Sequence, residues 1–246
     1  MKIFLISFNT VPQNVLRLDT SIAARNGGCF PASATVELES GETCSMEDLS
    51  VGQRVLTVYH DGSLHYDDVI TFIHRQPQLV TSFVVIATAD GHRLVATGDH
   101  LVFTSSAGGG GGHSAVSFSD LAPPTAVFMS QLTNHSDAVY VASPGTKEHL
   151  LVSMVTSVNK VVARGVYAPL TASGTIVVDG VVASCYALVS SHRLAHAVMA
   201  PVRTFSPWWN SYNISSLDGV HWYAEFMRRL AETLFLADSL LWNFAS

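Results

Sequence analysis

From Ala34 to about Leu188 the chain is a succession of short runs rich in Val, Ile, Leu, Thr and Phe, each cut by turn residues. ATVELESGE, QRVLTVYHDGSLHY, DVITFIHRQPQ, SFVVIATADGHRLVATGDHLVF, AVYVASPGTKE, HLLVSMVTSVNK and GVYAPLTASGTIVVDGVVASCYALV follow one another in this way. The lengths and the β-branched content are those of strands, and HDGS, ADGH and ASGT place glycine where a hairpin needs a positive φ. An all-β fold is therefore expected. FVVIATADGHRLVAT and VYAPLTASGTIVVDG share a strand, a glycine turn at Gly91 or Gly174, and a second strand. They are either a duplicated unit related by pseudo-symmetry or two hairpins alike only because hairpins are alike. The glycine run in SSAGGGGGHSAVS suits a solvated loop and carries no chemistry.

The pattern changes after Cys185. SSHRLAHAVMAPVR reads as a short helix stopped by Pro201, and FSPWWNSYN as a turn-rich aromatic patch. From Trp222 to about Phe244 the period is helical: Tyr223, Phe226, Met227, Leu230 and Leu234 recur at three- and four-residue spacings. Glu225 with Arg229, and Arg228 with Glu232, add opposite charges one helical turn apart. This amphipathic helix either packs on the β-domain or offers an apolar groove or membrane-facing surface, in a region that also holds Trp208, Trp209, Trp222 and Trp242.

With a formal net charge of −6 there is no basic footprint for nucleic acid or an anionic membrane surface, which favours small or apolar partners. No apolar run approaches the roughly 18 residues of a membrane span. MKIFLISF is shorter than the ~7–15 residues of a secretory core, so no signal peptide is expected in it. The sequons Asn134-His-Ser136 and Asn213-Ile-Ser215 lend weak support to a secretory route. Three cysteines, Cys29, Cys44 and Cys185, make neither a disulfide framework nor a zinc knuckle and leave at least one thiol free to react. A reversible Cys29–Cys185 bond is left open. His192 and His196 stand four apart on a helical pattern, but no third ligand accompanies them and no metal is expected.

Cys29 sits in NGGCFP, behind two glycines that leave its peptide bond with little steric protection. Attack of its thiol on the Gly28 carbonyl would exchange an amide for a reactive thioester with no outside reagent. Such a shift needs a distorted bond, donors for the oxyanion and an acid for the leaving nitrogen. TGDH offers these: His100 to protonate the amide nitrogen and Thr97 to hydrogen-bond the same peptide. The alternative for Thr97 and His100 is a turn-capping pair.

GGCF, the TxxH of Thr97 and His100, and ASCYAL around Cys185 occur in this order in a β-rich chain. Together with LSVGQRVL, GDHLVF, VYAPLTASGTIVV, LAHAVMAP and GVHWY, they make the chain resemble the C-terminal autoprocessing domain of hedgehog proteins, of the Hint type shared with inteins. The resemblance implies a pseudo-symmetric all-β Hint domain over 29–188, a small helical sterol-recognition region over 189–246, and a short upstream segment, 1–28, as the remnant of the junction. It implies two steps: Cys29 forms the thioester with Gly28 as acyl donor, helped by Thr97 and His100, and the 3β-hydroxyl of cholesterol then attacks. Cys185 matches a cysteine near that site. Sterol contacts are expected from Trp222, Tyr223, Phe226 and Leu230. Cholesterol is then a co-substrate rather than a resident cofactor, and the chain's own upstream peptide is the other substrate. A monomer in the secretory pathway or outside the cell is expected, with membrane association through the C-terminal region.

The family's base for the sterol hydroxyl is an aspartate in a pattern like FxDR, whereas this chain reads FIHR and places His74 there. An imidazole accepts a proton near neutral pH, but the fixed negative charge is gone. The 28 residues before Cys29 are far too few for the signalling domain expected there. The rivals are intein-like self-cleavage with water or a thiol as acceptor, a non-cleaving Hint-shaped module that binds sterol or a partner, and a Cys/His hydrolase acting on other chains.

Overall fold

A computed structural model of the protein describes residues 29–59, 61–105, 125–142, 150–186, 196–197, 199–209 and 219–220. Strands dominate them. β1 (Thr35–Glu37) and β2 (Thr43–Ser45) form a small hairpin. The remaining strands are β3 (Arg54–Val58), β4 (Leu64–Thr88), β5 (Arg93–Ala96), β6 (Leu101–Ser105), β7 (Thr125–Phe128), β8 (Ala138–Ala142), β9 (Leu150–Thr171), β10 (Thr175–Val178), β11 (Val181–Ser184) and β12 (Gly219–Val220). They join one sheet in the order β10-β11-β6-β8-β9-β4-β12, with β3 and β5 on β4 and β7 on β6.

Two strands far longer than the rest, β4 and β9, organise the fold. The expected runs DVITFIHRQPQ and SFVVIAT are not separate strands but parts of β4, which pairs antiparallel with β9 along most of its length. Pro77 lies inside it without ending it, because the register shifts between Gln76 and Val80 and no ladder bond is asked of the proline nitrogen. The strands are offset again where Phe72 faces Pro169 and His74 faces Ala168, which leaves Ile73 as an extra residue. Pro169 has no N–H to give, so a ladder bond is missing at this point. As a result Phe72, Ile73 and His74 are all buried instead of alternating.

Each long strand ends in a glycine turn, Gly91 with φ 95° after β4 and Gly174 with φ 75° after β9, and each turn leads into a returning strand. The two echoing hairpins thus occupy matching places on an antiparallel pair, as pseudo-symmetry requires. They diverge beyond the turns, where β5 returns to pair with β4 while β10 pairs with β11. Two apolar clusters fill the interior: a larger one around Phe30, Phe83, Ile86, Leu94, Tyr167 and Leu170, and a smaller one around Phe103, Tyr140, Leu150 and Val182.

The C-terminal part corrects two expectations. Pro201 opens a helix: it lies in the first turn of α1 (Ala200–Trp209), where its fixed φ is helical and its missing N–H would be unpaired in any residue, and the short helix expected before it falls mostly outside the described residues. Phe205 to Trp209, expected as a turn, continue that helix. α1 packs against β4. Arg203 fastens it by donating to the Tyr186 hydroxyl at 2.8 Å and to the His196 carbonyl at 2.6 Å, while Tyr186 and His196 Nδ1 meet at 3.0 Å. Burial and the Arg203 charge push the His196 imidazole down to about 4, so the ring is neutral at physiological pH. The helix expected over Trp222 to Phe244 and the glycine run lie outside the described residues.

Gly165 is the position where backbone freedom matters most. It sits opposite the Gln76–Val80 offset with φ 85°, and a Cβ there would come within 2.7 Å of both the Ala32 Cβ and the Tyr167 ring. Only glycine lets the segment after Cys29 lie against β9. Gly165→Ala is expected to cost at least about 1–3 kcal/mol of strain. The thermal unfolding midpoint should fall by about 2–4 °C per kcal/mol, which calorimetry would read.

Candidate active site

Cys29 and Phe30 enter the β-domain as a short antiparallel bridge on β9. Phe30 donates to the Tyr167 carbonyl at 2.8 Å and accepts from the Tyr167 N–H at 2.9 Å. The Ala32 N–H then bonds the Arg164 carbonyl at 3.0 Å. Phe30 is fully buried, which contributes about 1.5–3 kcal/mol to holding the segment down. The three bonds, at ~1 kcal/mol each, add a comparable amount and also set the register.

Thr97 grips Cys29 on both sides of its α-carbon. Its backbone N–H donates to the Cys29 carbonyl at 2.9 Å, and its Oγ1 accepts the Cys29 N–H at 3.1 Å. That N–H belongs to the Gly28–Cys29 peptide. The residues 97–100 form a tight turn, closed by the His100 N–H on the Thr97 carbonyl at 3.0 Å. This turn is stapled to the 3-10 turn Met129–Gln131: Met129 N–H bonds the His100 carbonyl at 2.8 Å and Ser130 N–H the Gly98 carbonyl at 2.9 Å. The TxxH spacing is thus a turn and a peptide clamp at once. His100 is fully buried, its ring 4.2 Å from that of Phe30 and tilted by 54°.

His74 arrives from β4, and its Nδ1 lies 3.4 Å from the Cys29 sulfur. Both residues are essentially inaccessible to water. Burial pushes the Cys29 thiol far above the ordinary thiol range and the His74 imidazole below the ordinary histidine range. Gln76 offsets the latter in part by favouring the charged ring, although Nε2 of His74 makes no geometrically complete hydrogen bond among the described residues. An uncharged thiol beside an uncharged imidazole is the ground state this desolvation favours.

The expected site residues are therefore partly gathered. Thr97 and His74 each contact Cys29, and His100 packs against Phe30, the next residue along the chain. Cys185 has other neighbours: its N–H bonds the Gly174 carbonyl at 2.8 Å and its sulfur lies 3.5 Å from Thr171 Oγ1. Burial above all raises its thiol to about 11. Cys29, Cys44 and Cys185 are all free thiols. Gly28 and the expected sterol contacts Trp222, Tyr223, Phe226 and Leu230 lie outside the described residues. The two residues that open the GVHWY motif are described: as β12, Gly219 pairs with Arg75 and Val220 with His74.

Two contributions were not anticipated. Gly165 allows the Cys29 segment to close on β9, and its signal was a lone glycine inside an apolar run, ARGVYA. Arg75 lies over the rings of Phe72 and Tyr167, at 5.2 and 5.9 Å from their centroids, and so stiffens the strand beside His74. In the sequence it is the last residue of FIHR.

A family model described as the Hint module matches residues 17–236. The Tiggy-winkle hedgehog protein of Danio rerio is 35% identical over 233 residues, which cover 91% of this chain and 53% of that protein. The Sonic hedgehog protein of Xenopus laevis is 38% identical over 188 residues, 76% of this chain and 40% of that protein. The chain spans about half the length of these relatives. Among solved structures, a variant of the Ssp DnaB mini-intein superposes with a TM-score of 0.50 at 11% identity, covering 65% of this chain and 95% of that one. A mutated form of the same variant gives 0.51 at 10% identity, with 65% and 93% covered. These matches show the fold. With a β-rich architecture built on an antiparallel pair of long strands, and a matched span that runs from before Cys29 to beyond β12, the chain belongs to the Hint module family and is similar to hedgehog proteins over most of its length.

Proposed function

We propose that the chain cleaves itself at the Gly28–Cys29 bond and passes the Gly28 acyl group to a sterol. One observation carries this reading: the N–H of that bond is held by Thr97 Oγ1 at 3.1 Å while the thiol of the same residue is buried against an imidazole. A cysteine kept only for packing needs neither. The clamp fixes the peptide plane relative to Sγ, which reduces the entropic part of the barrier to intramolecular attack.

In the first step Cys29 gives up its thiol proton to a base, Sγ bonds the Gly28 carbonyl carbon, the carbon–nitrogen bond breaks, and His100 passes a proton to the departing Cys29 nitrogen. The thioester is higher in energy than the amide, and the clamp of Thr97 with the packing of Phe30 holds the reacting atoms together while it forms. In the second step the 3β-hydroxyl of cholesterol attacks the thioester carbon and His74 accepts its proton. The carbon–sulfur bond breaks, and the upstream peptide leaves as the Gly28 ester. The residues from 189 onward are assigned to sterol recognition, with Trp222, Tyr223, Phe226 and Leu230 as contacts. The pairing of Val220 with His74 supports this, since it attaches that region beside the base. The hedgehog resemblance supports action by a monomer in the secretory pathway, with membrane contact through the C-terminal region and no role for nucleic acid.

His74 also supports a second acceptor. A buried, uncharged imidazole activates water as readily as an alcohol, so hydrolysis of the thioester competes wherever water reaches it.

Intact-mass measurement of the full chain, with and without a strong thiol and with and without cholesterol, separates these outcomes. Thiol should release residues 1–28, cholesterol should release them heavier by one sterol, and Cys29→Ala should do neither. A wild-type chain that stays whole under every condition contradicts self-cleavage and leaves a non-cleaving binding module. A peptide released only without sterol contradicts the transfer step.

Thr97→Val removes the acceptor for a buried N–H at a cost of about 1–3 kcal/mol. Thiol-induced cleavage should slow by roughly 10- to 100-fold, at about 1.4 kcal/mol per tenfold. Thr97→Ser, which keeps an acceptor oxygen, should stay much closer to wild type in the same assay.

A further inference from the structure

We propose that His74 is the base that takes the thiol proton of Cys29 in the first step, so that residue 74 acts before any acceptor arrives. This rests on the self-cleavage reading and adds a role to that site: the departure from aspartate makes Cys29 and His74 a thiol–imidazole pair.

The geometry is direct. Nδ1 lies 3.4 Å from Sγ, within hydrogen-bonding reach for sulfur, and neither residue meets solvent. The Ile73 offset between β4 and β9 brings the ring there, since it buries three successive side chains on β4 and places His74 opposite Ala168, next to the Tyr167 that pairs with Phe30. The thiolate, not the thiol, is the nucleophile. Burial makes that thiolate scarce at neutral pH, so the proton has to move to a neighbour as the bond forms. The neutral ring is able to accept it, because the same burial keeps it unprotonated. A carboxylate at this position would be a weaker base toward a thiol and would add a negative charge beside a developing thiolate.

The step balances. The Sγ–H proton moves to His74 Nδ1, Sγ bonds the Gly28 carbonyl carbon, the carbon–nitrogen bond breaks, and the nitrogen takes a proton through His100, which draws one from solvent. One positive charge, that solvent proton, enters the step, and one is held after it, on His74. The buried imidazolium then releases its proton to solvent, and the neutral ring is restored for the acceptor. Among the described residues, Cys29 is the titratable group in hydrogen-bonding reach of this ring. His100 is packed on Phe30, Arg75 is turned over Phe72 and Tyr167, and Arg203 of α1 is engaged by Tyr186 and His196. From β9 the facing residue is Ala168, which does not titrate.

The test measures cleavage of the full chain by saturating dithiothreitol, which makes the first step limiting, as a function of pH. The wild-type rate should rise with pH as His74 loses its proton, below the ordinary histidine range, and then level off. His74→Asn should be slower by roughly 10²- to 10⁴-fold near neutral pH and keep rising with pH as free thiolate grows. His74→Asp, a weaker base toward the thiol, should recover only part of the loss. A His74→Asn chain that cleaves at the wild-type rate with the wild-type profile overturns the proposal. Should His74→Asn lose its cooperative unfolding transition, the comparison falls to His74→Asp: a rate below wild type near neutral pH supports the proposal, and a rate and profile superimposable on wild type overturn it. Failure of the wild type itself to cleave overturns the self-cleavage reading, and is distinguished by appearing before any variant is made.

Discussion

The antiparallel pairing of β4 with β9 is the constraint on which the rest depends. It carries the two glycine turns and supplies the β9 edge on which Phe30 pairs. Its two offsets do different things. The one at Ile73 turns His74 inward, and the one opposite Gly165 makes room for Ala32. A fully regular ladder would hold the sheet better and leave Cys29 with neither a base nor a seat. Irregularities of this kind cost ladder hydrogen bonds and are kept where they re-aim side chains.

Desolvation gives the site its chemistry. Burial raises the thiol and lowers the imidazole, so both are favoured in their uncharged forms. The Thr97 clamp holds Cys29 through its backbone, with one bond to the N–H of the Gly28–Cys29 peptide and one to the carbonyl of the next peptide. For the proposed attack, fixed geometry and suppressed charge work together: the first reduces its entropic cost, and the second keeps the cysteine quiet toward solvent. Cys185, equally buried but partnered by Thr171, shows that burial alone raises a thiol without building a site.

Strand content and turn positions were legible in the sequence because they rest on local rules: β-branched runs, and glycine where φ is positive. The continuity of β4 was not, since Pro77 reads locally as a breaker and only the pairing with β9 shows that its nitrogen is not needed. Pro201 misled in the same way, because the first turn of a helix and its end both tolerate proline. In the site, NGGCFP and TGDH named Cys29, Thr97 and His100 from the bonding that a self-directed attack requires. The contact of His74 with the Cys29 sulfur depends on a strand offset, a tertiary property that no spacing within FIHR encodes. Arg75 and Gly165 were overlooked for the same reason.

The central claim is that a thioester joins Gly28 to the Cys29 sulfur. Hydroxylamine attacks thioesters far more readily than amides, so the most direct measurement is tandem mass spectrometry of the full chain after treatment at neutral pH. The account predicts an upstream peptide ending in a hydroxamate at Gly28 and a partner fragment beginning with Cys29, both absent from Cys29→Ala. An intact chain, or a hydroxamate at any other residue, would contradict it.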